Sequence, residues 1–103
     1  MGRRDEEYKE KRRIEKFLQI AGLVNKNKIA EAREELDKMM EGATAYFFVE
    51  KRIPKGERDA RKFDFRSKFW RLVSRYNGKG DKRGVIDDFC KNWNYMFAPL
   101  VGF

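Results

Sequence analysis

Between Phe65 and Tyr76 the large apolar residues keep one helical spacing: Phe65, Phe69, Leu72, Val73 and Tyr76 stand at i, i+4, i+7, i+8 and i+11. A strand, with its period of two, would scatter these five over both faces, whereas a period of 3.6 gathers them into one stripe. Such a stripe has to be buried against other elements, and three further segments supply partners of the same kind. From about Arg4 to Val24, Ile14, Phe17, Leu18 and Ala21 share a face at i, i+3, i+4 and i+7, and Gly22 and Asn25 suggest where that helix ends. From about Lys28 to Glu41, Ile29, Ala32, Leu36, Met39 and Met40 share another, with Asn27 as the expected cap and Gly42 as the expected stop. From about Val85 to Phe97, Val85, Ile86, Phe89, Trp93, Met96 and Phe97 align, and Pro99 blocks continuation.

The segment between the second and third helices reads differently. Thr44 to Val49 includes Tyr46, Phe47, Phe48 and Val49, residues of high strand propensity, and Pro54 and Gly56 break the pattern after it. In Ala60 to Arg66, Phe63 and Phe65 alternate with charged residues, so the two runs form a β-hairpin closed by Pro54 to Asp59. The alternative runs a helix back to Asp59 and makes Thr44 to Val49 a helix continuation or a buried extended run. The expected fold is therefore mainly α, or α+β: about four helices with one short β-hairpin between helices 2 and 3.

At 103 residues, 41% apolar and with nine Phe, four Tyr and two Trp, the chain can fill one core, so residues 1–103 are expected to form a single domain. Cys90 alone cannot form an internal disulfide, and with no His the usual zinc constellations are missing. The polar start and the lack of an apolar run of about 18 residues point to an intracellular, cytoplasmic protein with no membrane partner. No family pattern is matched closely enough to carry residues over.

The net charge of +8 is concentrated. Residues 51–83 hold thirteen Lys and Arg against four Asp and Glu, residues 1–50 balance at eleven each, and residues 84–103 carry one against two. Lys68, Arg71 and Arg75 fall on one stripe beside the apolar face of their helix, an arrangement of mutually repelling cations that a negative partner would relieve. Gly78 to Gly84 carries Lys79, Lys82 and Arg83 on a flexible backbone ahead of a helix, as a phosphate-cupping loop would, although the Walker spacing is absent. Lys51, Arg52, Lys55, Arg58, Arg61 and Lys62 would form the basic tip of the hairpin, suited to a groove or a phosphate backbone. Arg3 and Arg4 with Lys11, Arg12 and Arg13 offer a second contact surface, but interleaved acids favour an ordinary solvated helix there. Trp70, on the other flank of its helix from the cationic stripe, either stacks on a base or plugs the core.

Catalytic candidates are poor. Asp87 with Asp88, and Glu34 with Glu35, point about 100° apart on a helix and cannot converge alone. Glu50, Lys51 and Arg52 match the carboxylate and cation set of a metal-dependent nuclease only loosely, and Cys90 near an apolar face reads as an inert thiol. The expectation is a protein that is not an enzyme and uses no cofactor or metal. It binds nucleic acid, DNA or RNA, through phosphate contacts from residues 51–83. The second reading is a protein-interaction module, an inhibitor or adaptor of the phage or mobile-element kind, docking on an acidic protein surface. The apolar cluster Trp93, Tyr95, Met96, Phe97, Leu100, Val101 and Phe103 folds back to close the core, or, in the second reading, serves as the anchor or as a homodimer face.

Overall fold

A computed structural model describes residues 3–50 and 53–96, with 3–6 and 42–50 as backbone alone. It comprises four helices: α1 (Arg3–Asn25), α2 (Ile29–Glu50), α3 (Lys55–Asn77) and α4 (Lys82–Met96). The mainly α reading holds. Helix α1 packs against all three others, and α3 and α4 form the most extensive pair.

No strand occurs among the described residues, and the expected hairpin is replaced by helix on both sides of Pro54. On the first side, Gly42 does not stop α2, which continues through residues 44–49 to Glu50. On the second, Pro54 begins a helix, its carbonyl accepting from the Arg58 amide at 2.9 Å. A proline serves well there, because its fixed φ suits a helix start and its missing amide would have had no partner. Phe63 and Phe65 decide the matter. A strand would turn both to one face, but Phe63 is 74% exposed and Phe65 1%, as residues 200° apart on a helix should be. The ion pairs Glu57–Arg61 at 2.9 Å and Asp64–Lys68 at 3.0 Å, each with the acid four residues ahead of the base, support the same helix.

Asn27 is not the cap of α2. It has φ 62°, in the left-handed region, and closes α1: the Lys28 amide donates to the Leu23 carbonyl at 2.8 Å and the Asn27 amide to Val24 at 2.9 Å. This paired pattern ends helices that turn sharply, and asparagine is the usual substitute for glycine in it. Gly22 lies inside α1 rather than at its end.

The core joins the four stripes. Phe17 of α1, Phe69 of α3 and Phe89 of α4 meet at its centre, with ring centroids 5.3 Å (Phe17–Phe69), 4.9 Å (Phe17–Phe89) and 5.9 Å (Phe69–Phe89) apart. Ala32, Leu36 and Met40 bring α2 onto this trio, and Val85, Trp93 and Met96 line the rest of α4. Leu18 and Ile29, expected in the core, are 38% and 39% exposed, while Ile20 takes the place expected of Leu18. Polar ties fix the helix ends. Asn77 Nδ2 donates to the Ala21 carbonyl at 3.0 Å, the half-buried Arg61 donates to the Met96 carbonyl at 3.0 Å, and buried Asn92 donates to the Phe65 carbonyl at 3.3 Å.

Candidate nucleic-acid interface

Helices α3 and α4 run side by side, and each turns a stripe of polar residues toward the cleft between them. From α3 come Lys68, Arg71 and Arg75, at i, i+3 and i+7; from α4 come Asp88, Lys91, Asn92 and Tyr95, at i, i+3, i+4 and i+7. Together they line an open groove of about 440 Å³, floored by Leu72 and Asn92, which are buried. That volume falls within the range of small-ligand sites.

Four cations against one carboxylate set the character of the groove. Arg75 donates to Asp88 across it at 3.0 Å, and Lys68 pairs with Asp64 of its own helix at 3.0 Å. Arg71 and Lys91 are exposed and have no hydrogen bond or ion pair among the described residues. Their ammonium and guanidinium groups therefore carry uncompensated positive charge beside a ring. Tyr95, 63% exposed, stands at one end of the groove with Lys68 Nζ 4.9 Å from its centroid. Exposed aromatic faces beside phosphate-binding cations are the two parts that single-stranded nucleic-acid sites combine.

Of the twelve residues picked out by sequence, three meet in this groove: Lys68, Arg71 and Arg75. Lys51 and Arg52 lie outside the described residues. With the hairpin gone, Lys55, Arg58, Arg61 and Lys62 occupy the first two turns of α3 instead of a basic tip. Arg61 is committed to Glu57 and the end of α4, and Arg58 and Lys62 are half-buried. The phosphate-cupping loop is also shorter than expected, because Lys82, Arg83 and Gly84 already belong to α4. Asp81 occupies that helix start itself, accepting from the Arg83 amide at 3.1 Å, so the amide groups a phosphate would use face a carboxylate. Lys82 turns back to the Tyr76 carbonyl at 2.6 Å and over the Tyr76 ring, leaving Lys79 and Arg83 as the cations of the turn whose side chains have no partner among the described residues.

Three groove residues, Lys91, Asn92 and Tyr95, are not among the binding candidates that the sequence offers. The signal is present in the 88, 91, 92, 95 spacing of α4, but the apolar ring of Tyr95 places it by composition with the C-terminal cluster. Of that cluster, Trp93 and Met96 are buried, while residues 97–103 lie outside the description. Trp70 is half-buried against the core, edge-on to Phe69 at 5.4 Å. The catalytic candidates do not converge: Asp87 is exposed, Asp88 faces Arg75, and Lys16 holds the Glu35 carboxyl below the usual glutamate range by a 2.7 Å bond. No helix of the described residues is long and apolar enough to cross a membrane.

No protein-family model, curated protein or solved structure matches the chain.

Proposed function

We propose that the chain is a small nucleic-acid-binding protein whose contact surface is the groove between α3 and α4. The observation that carries this reading is the convergence of Lys68, Arg71, Arg75 and Lys91 on one cleft, with Arg71 and Lys91 unpaired among the described residues. Each cation that meets a phosphate releases a condensed counterion, so binding is driven by charge and weakened by salt. Tyr95 supplies a ring on which a base can stack, worth about 1–3 kcal/mol in sites of this kind. Asp88 limits the attraction at one end and holds Arg75 in place, which leaves Arg71 and Lys91 as the principal phosphate ligands.

Fluorescence anisotropy with a short labelled DNA duplex, and with its single strand, tests the reading. Affinity should fall steeply between about 50 and 200 mM salt. Arg71→Gln with Lys91→Gln should weaken binding and reduce the salt slope by about two. Tyr95→Ala should weaken the single strand more than the duplex. Binding that ignores salt, or that survives R71Q/K91Q unchanged, overturns the proposal. Purified protein that carries a second protein and no excess absorbance at 260 nm favours docking on an acidic protein surface.

A further inference from the structure

The α3/α4 groove is not the chain's only cluster of cations. On α1, Lys9, Arg12, Arg13 and Lys16 stand at i, i+3, i+4 and i+7, which at about 100° per residue places all four within a quarter to a third of the helix circumference. The acids that alternate with them in sequence, Glu7, Glu10 and Glu15, fall outside that arc, and Glu10 is turned toward Cys90, with Oε1 3.8 Å from Sγ. Interleaving in sequence is therefore separation in space.

This stripe forms one wall of a second groove of about 410 Å³, closed by Lys38 of α2 and Trp93 of α4. Among the described residues no carboxylate lines it. Lys16 and Lys38 are paired behind it, with Glu35 at 2.7 Å and Glu34 at 3.5 Å respectively. Lys9, Arg12 and Arg13 have no carboxylate partner among the described residues, and rings hold the two arginines: Arg13 lies 5.2 Å from the Trp93 centroid and Arg12 lies 6.0 Å from that of Tyr8. A cation beside an aromatic face is attracted to it without using up its N–H donors, so both guanidinium groups can still donate to phosphate oxygens. Trp93 and the residues that line the first groove, Lys91 and Tyr95 among them, occupy opposite flanks of α4, about 150° apart around its axis.

We propose that the α1 groove is a second phosphate-binding site, so that one protein molecule joins two nucleic-acid segments, one on each flank of α4. This rests on the reading of the α3/α4 groove as a nucleic-acid site, but it uses different residues. A molecule with one site coats a strand, whereas a molecule with two brings strands together.

Sedimentation of the full chain with a labelled DNA duplex too short to reach around α4 separates the two. The expected saturation is two duplexes per protein chain, and Lys9→Gln with Arg12→Gln should reduce it to one. The same variant should stop the protein from capturing a free labelled duplex onto beads that carry an immobilised one. Both side chains are exposed, and an unchanged thermal melt will show that the fold is intact; Arg13 is left alone because it packs on Trp93. Saturation at one duplex per chain overturns the proposal, as does capture that persists in K9Q/R12Q. If the wild type binds one duplex and R71Q/K91Q abolishes it, the α3/α4 reading survives alone. If the wild type binds none, both fall.

Discussion

Cys90 shows how a residue's neighbours set its chemistry. It lies half-buried on α4, and desolvation pushes its thiol pKa above the usual range, with the nearby Glu10 carboxylate adding to the rise. Both effects disfavour the thiolate, which is the reactive form. Alkylation by iodoacetamide at neutral pH should therefore be slower than for an unhindered cysteine, with its rate-against-pH curve displaced upward from about 8.5. Glu10→Gln should move that curve part of the way back, because it removes the charge but not the burial. A curve at or below that of free cysteine would contradict this account. The core is governed by burial in a simpler way. Phe17 is fully buried and touches aromatic rings from α3 and α4, so truncating it removes contacts to two helices at once.

At the scale of elements, α1 and the turn that closes it hold two positions whose backbone demands are opposite. Gly22 is inside the helix, and a Cβ added there would meet nothing within 4 Å. Gly22→Ala should therefore stabilise the protein by about 0.5–1 kcal/mol, by restricting the unfolded chain and favouring helix. Asn27, at φ 62°, is the reverse case: Asn27→Ala should destabilise by about 1 kcal/mol, while Asn27→Gly should be nearly neutral. Urea denaturation of the three variants checks both, and a stabilised N27A would refute the left-handed closure of α1.

The same contrast explains which elements were legible in sequence. The existence of four helices follows from apolar spacing alone, since Phe65, Phe69, Leu72 and Val73, or Val85, Phe89, Trp93 and Met96, leave no other way to share a face. The hairpin failed because strand propensity in residues 46–49 depends on a partner strand. The only candidate partner carried helical ion pairs, Glu57–Arg61 and Asp64–Lys68, which outweighed the alternation of two phenylalanines. Half of the groove could be read from α3, where the cationic stripe lies in one unbroken run of sequence. The α4 half could not, because which face of α4 meets α3 is a fact of packing. The stripe on α1 was hidden differently: over residues 1–50 as a whole acids and bases balance at eleven each, and only the helical wheel separates the stripe from the acids interleaved with it.

For the whole molecule, the balance lies between its ion pairs and its surplus charge. Pairs such as Arg66–Asp37 at 2.7 Å and Arg75–Asp88 at 3.0 Å sit with their side chains about half-exposed, where an ion pair typically contributes about 0–1 kcal/mol. Against them stands a net charge of +8, and within the two grooves unpaired cations such as Arg71 and Lys91, or Lys9 and Arg12, repel one another. Salt screens both effects, but repulsion among many like charges extends further than the attraction of a few close pairs. The Debye length shrinks from about 30 Å at 0.01 M to about 8 Å at 0.15 M, which cuts off the first and barely touches the second. Without nucleic acid, the melting temperature should therefore rise by a few degrees as sodium chloride is raised over that interval, a gain on the order of 1 kcal/mol or less. R71Q/K91Q, with two fewer charges, should melt higher than the wild type at low salt and gain less from added salt. A melting temperature that falls as chloride is added would show that the ion pairs dominate, and the grooves would then be less strained by their own charge than their geometry implies.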